Sequence, residues 1–110
     1  MLSQMNLGLW LHPEQTRCVV EGHVIHKHLI DTGMLADCVG LADLRAVKDL
    51  GSGFFPELVG KFVFGWKTIS GHGVPCLHEA NGKIWVLWRP LDKYWSLNDP
   101  ALLHRVIVSQ

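Results

Sequence analysis

Cys76 and His78 stand two residues apart, and so do His26 and His28. If both pairs lay on strands, each would aim two ligands to one side, since side chains alternate along a strand. Together they would offer zinc one sulfur and three nitrogens, a donor set that metal accepts. The residues around the histidines argue against it. Positions 13–31 read as a helix, where residues two apart point about 200° away from each other. His26 and His28 then cannot share an ion, and His23 falls beside Lys27 instead. The expectation is no metal and no cofactor.

The cysteines are also candidates for nucleophilic chemistry, with a histidine as base. Cys18 and Cys38 lie in apolar patterns, where a free cysteine behaves as a small hydrophobe. Cys76 beside His78 is the better pair, but no oxyanion glycine turn, orienting carboxylate or nucleophile elbow accompanies it. Gly71-His72-Gly73 and Gly51-Ser52-Gly53 lack the strand–loop–helix setting of a phosphate loop and read as turns. Asp31, Asp37, Asp43 and Asp49 stand where caps and solvated helix faces would put them. No catalytic residue is assigned. A Cys/His or metal-dependent enzyme is the alternative to a binding protein and the weaker of the two readings.

Composition narrows the classes further. The 110 residues suit a single domain, 1–110, with ten basic residues balanced by ten acidic ones. That balance gives no electrostatic footprint for nucleic acid or anionic lipid. Charged residues are 18% of the chain and apolar ones 48%, with five tryptophans; roughly 25% charged is usual. So apolar a small domain is expected to leave some of that surface open, for self-association or a ligand. Three cysteines in no paired spacing, and no charged-then-apolar leader at the start, point to a reduced, cytoplasmic setting. No run approaches the length that spans a bilayer.

These side chains must be held by elements, and the clearest are strands. Lys61–Ile69 alternates, Ser70-Gly71-His72-Gly73 turns, Val74–Ala80 returns, and Asn81-Gly82 turns again into Lys83–Arg89. Asn-Gly between apolar runs is a strong hairpin signal. Around this meander, Pro13 opens a helix that Gly33 closes, although Val19, Val20, Val24 and Ile25 would also suit a strand. A second helix starts near Asp43, with Leu44, Val47 and Leu50 on one stripe, and stops at Gly51 to Pro56. Asn98 or Asp99 caps a short helix from Pro100 to His104, ahead of an extended Val106-Ile107-Val108. Met5 to Leu11 is an edge strand or a packed arm. The expected fold is α+β: a three-stranded antiparallel meander, with or without an added terminal strand, covered on one face by two helices.

A four-residue turn at Ser70 to Gly73 would set Trp66, Leu77 and Val86 in one row and Phe64, Glu79 and Ile84 in the next, forming the core face. Glu79 sits near the hairpin tip, within reach of water. The opposite face would carry Lys67, Cys76 and Leu87, then Gly65, His78 and Trp85. On that face Trp85, Leu87 and His78, rimmed by Lys67 and Arg89, are the candidate binding residues. Either a second copy, a ligand or a protein partner docks there, or a terminal segment covers it. The chain reads as a small interaction or ligand-binding protein that forms a homodimer. Stacking on single-stranded nucleic acid ranks below this, for want of a basic groove.

Overall fold

In the computed structural model of the chain, residues 7–51 and 58–104 are described. The Asn81-Gly82 turn organises its centre. Both residues hold positive φ, 56° and 77°, the combination a type I′ turn requires. It joins two strands, β4 (Val74–Ala80) and β5 (Lys83–Arg89), and sets Leu77 against Val86 and Cys76 against Leu87. This is the register the spacing predicts.

The neighbouring strand β3, Phe62–Phe64, departs from expectation. Leu77 meets Val63 rather than Trp66, and Cys76 meets Phe64 rather than Lys67. The slip is odd in length, so the faces of β3 are exchanged. Pro75 supplies the reason. Its carbonyl accepts from Gly65 N at 2.9 Å, but it has no N–H to return to the Gly65 carbonyl. Thr68 N takes that carbonyl instead, at 3.3 Å, and the chain turns out of the ladder. Ser70 and Gly73 then meet again as an isolated bridge, so the expected turn survives beyond the slip. Trp66 is carried into the core, and Lys67 to the surface.

Two more strands, β1 (Leu7–Trp10) and β7 (Ala101–His104), extend the meander. The result is a mixed sheet of five in the order β1-β7-β3-β4-β5, not an antiparallel sheet of three. β7 occupies the segment whose sequence suggests a short helix. It runs antiparallel to β1 and meets β3 in parallel at Phe64 and Ala101. Phe62 N bonds the Asn98 carbonyl and Phe64 N the Pro100 carbonyl, at 2.9 Å each, which draws this segment out along β3. Leu102 and Leu103 enter opposite cores, an alternation a strand satisfies and a helix would not. Residues 5–6, 52–57 and 106–108, for which the sequence also gives expectations, lie outside the described residues.

The helix expected over 13–31 is divided. Pro13–Thr16 is a single 3₁₀ turn, Val20–Glu21 pairs as β2 with β6 (Tyr94–Trp95), and only Gly22–Asp31 forms α1. The residues just ahead of Gly22 take the strand alternative. α1 begins at Gly22 because only a glycine fits: a Cβ there would lie 2.6 Å from the Trp95 ring. Its first N–H groups bond the carbonyls of Lys93 and Leu91. Gly33, at φ 77°, ends it as the sequence suggests. α2 spans Leu41–Leu50, and the Asp43 carboxylate accepts from Gly40 N at 3.0 Å.

The two helices cover opposite faces of the sheet, not one. Ile25 and Leu29 of α1 pack with Phe64, Cys76, Trp66, Trp95, Ala101 and Leu103. On the other side Leu44 and Val47 of α2 pack with Val63, Leu77, Ile84 and Leu102. Gly65 lies directly under Leu44. The fold is α+β, and both of its sheet faces are core over most of their area. Among the described residues, no helix is long and apolar enough to cross a membrane.

Candidate functional site

One sheet face carries three successive rows: Phe62, His78 and Trp85, then Phe64, Cys76 and Leu87, then Val74 and Arg89. The middle of this face is sealed by the α1 core, where Phe64 and Cys76 are buried. The part nearest the hairpin tip and the sheet edge is open. Trp85 is 50% exposed and Leu87 40% exposed, on a strand paired along seven residues. His78 lies flat on Phe62, ring centroids 3.9 Å apart and planes 4° from parallel. Its Nδ1 is 3.2 Å from the Lys61 carbonyl, which can only accept. That nitrogen therefore donates, and in the neutral ring Nε2 is left as an acceptor. The face presents a rigid row of aromatic surface with one imidazole nitrogen in it.

Four of the five candidate residues come together here: Trp85, Leu87, His78 and Arg89. Lys67 does not. The turn that Pro75 imposes takes it to the segment ahead of α2, where its Nζ bonds the Ala36 carbonyl at 3.2 Å. Arg89 is placed, but its role differs from a polar rim. The guanidinium lies over Phe64, Trp95 and Phe62, at 4.8, 5.0 and 5.4 Å from the ring centres. It also pairs with buried Asp99 at 3.1 Å and bonds the Tyr94 carbonyl. Asp99 in turn accepts from Ser96 N at 2.7 Å. Gln15, itself buried, ties this corner to the 3₁₀ turn through the carbonyls of Ser96 and Asp99. Arg89 is thus a strut across the face. Phe62 is the member that sequence reasoning missed; Pro75 was the signal, since it dictates which side of β3 faces His78.

The open edge also borders a hollow of about 360 Å³ between the end of α2 and the hairpin tip, lined by Lys48, Gly51, Gly82, Lys83, Ile84 and Trp85. Glu79, expected to reach water near this tip, has one carboxylate oxygen buried with no hydrogen-bond partner among the described residues. β1, part of one segment expected to cover Trp85 if no partner does, lies at the far edge of the sheet.

The other chemistry-bearing residues are dispersed. Burial pushes the Cys76 thiol up to about 12 and the Cys38 thiol up to about 11. At neutral pH such thiols are protonated, and only a thiolate is a strong nucleophile. His26 stacks on Trp66, with centroids 6.2 Å apart, while His28 lies against Trp10 and His12 at 5.5 and 4.7 Å. The two point to different partners, as their helical spacing requires. His12 Nδ1 accepts from Glu14 N at 3.0 Å and caps the 3₁₀ turn. Among the described residues, no group of three or more His, Cys, Asp or Glu side chains could hold a metal ion. No family model, curated protein or solved structure matches the chain.

Proposed function

We propose that this chain is a small cytoplasmic binding module that self-associates, with the open end of the sheet face around Trp85 and Leu87 as its contact surface. One observation carries the reading: two large apolar side chains, about half exposed, are held on the same side of a well-paired strand. Rigid aromatic anchors of this kind dominate the energetics of protein interfaces. The flat His78–Phe62 stack continues the surface, and Lys83 stands at its edge. The hollow beside Lys83 is large enough for a small ligand in contact with Trp85. Stacking on single-stranded nucleic acid loses support, because Lys67 is remote and Arg89 is neutralised by Asp99.

The test is Trp85→Glu. Because the side chain is half solvated, the substitution should leave the melting temperature within a few degrees and reduce the sedimenting mass to that of one chain. A variant that assembles like the parent would reject this surface. One that unfolds outright would make Trp85 a core residue.

A further inference from the structure

Resting on that reading, we propose that the partner is a second copy of this chain, added through the free edge of β5 so that two five-stranded sheets join as one. Among the described residues, β5 is the longer of the two sheet edges, seven residues against four in β1, and it contains no proline. The type I′ turn settles which of its amides are free. Ala80 and Lys83 flank the turn as a hydrogen-bonded pair, and such pairs alternate along an antiparallel ladder. Lys83, Trp85, Leu87 and Arg89 therefore bond β4, while the N–H and C=O groups of Ile84, Val86 and Trp88 point outward. Gly65 N bonding the Pro75 carbonyl fixes the same alternation from the other side of β4. Among the described residues, no hydrogen bond reaches those three outward positions from beyond the edge.

A two-fold axis through Val86 pairs all of them at once. Val86 meets the partner's Val86, Ile84 meets the partner's Trp88, and Trp88 the partner's Ile84, with two hydrogen bonds at each such pair, or about six in all. The same register places Trp85 directly opposite the partner's Leu87, and Leu87 opposite the partner's Trp85. These are non-hydrogen-bonded positions, where cross-strand side chains approach most closely. The two exposed apolar side chains of the edge thus cover each other twice, which is the self-complementarity a symmetric dimer needs. The charges allow it. Lys83 falls opposite the partner's Arg89, but Arg89 is folded back over Phe64 and paired with Asp99, so no bare like charges meet.

Two measurements test this together: sedimentation of the parent chain and of Val86→Pro, and residue-resolved hydrogen exchange of the parent over a range of concentrations. The proline removes an outward donor, at a place where edge strands tolerate it, and trims a side chain that packs partly against the α2 core; circular dichroism checks that it folds. The expected result is a dimer whose dissociation constant rises more than about tenfold in Val86→Pro. Exchange at Ile84, Val86 and Trp88 should slow as concentration rises, while Trp85 and Leu87 amides stay protected throughout. A dimer in which those three amides exchange freely would overturn strand pairing yet leave the Trp85 surface standing. Slow exchange independent of concentration would mean cover from within the chain, and would also overturn it. A chain that stays monomeric would refute both this proposal and self-association.

Discussion

Replacing Arg89 with methionine separates a structural strut from a ligand-binding arginine. The guanidinium pairs with Asp99 at 3.1 Å, with 22% of the arginine side chain and 8% of the aspartate exposed. Removing one partner of a fully buried pair costs about 3–5 kcal/mol, because the remaining charge is stranded. Here the cost is smaller. Arg89 keeps some water, and Asp99 retains the Ser96 N–H at 2.7 Å. The expected loss is about 2–3 kcal/mol, including the contacts with three aromatic rings, or roughly 10–20 °C in melting temperature for a domain of this size. Urea unfolding followed by tryptophan fluorescence gives the value. Asp99→Asn and the double variant close the cycle, with an expected coupling of about 1–2 kcal/mol. A loss below about 1 kcal/mol, or simple additivity, would show the pair to be solvent-screened. Arg89 would then be available to a ligand, and its description as a strut would fall.

Burial, and then the charge of His28, hold His12 below its usual 6.5, and burial with His23 does the same for His26. The unfolded chain therefore takes up these protons first, so stability is full above about pH 6.5 and falls as pH drops toward the folded values. Urea midpoints against pH should show this slope. His12→Asn, which keeps an acceptor for Glu14 N, should flatten it, and an unchanged slope would clear His12. At pH 8, iodoacetamide should modify exposed Cys18 first and spare Cys38 and Cys76 until the chain is unfolded; native mass addition at Cys76 as fast as at Cys18 would contradict its burial. Gly73→Ala should cost more than about 3 kcal/mol, since φ is 101° and a Cβ would strike the Arg89 carbonyl. A near-parental melting curve would refute that turn geometry.

The hairpin of β4 and β5 is legible because its information is local: two residues fix the turn, and the turn fixes the register. Trp85, Leu87 and His78 share a face for that reason alone. Lys67 is misplaced by an ideal ladder that gives Pro75 the standing of an ordinary strand residue. The missing donor of that proline ends β3 at Phe64 and sends Gly65 to Ile69 into a turn. The first helix fails differently. Cys18 and Val19 fit a helical stripe, but the helix begins only at Gly22, where Trp95 and the Leu91 carbonyl need the space. β7 has the least chance. Asp99-Pro100 opens a helix as readily as a strand, and what decides between them is a carbonyl of Asn98 meeting Phe62, far along the chain.

The position of β7 has a consequence for how the molecule comes into being. It lies between β1 and β3, so the earliest described strand has as its sheet partner the latest described one, Trp10 pairing with Ala101. At about 5–20 residues per second of synthesis, roughly 5–20 seconds separate those two residues. During that interval β4 and β5 can close their local hairpin, while Leu7–Trp10 waits with both edges unsatisfied. Among the described strands, β1 is therefore the one that waits longest for its sheet partner.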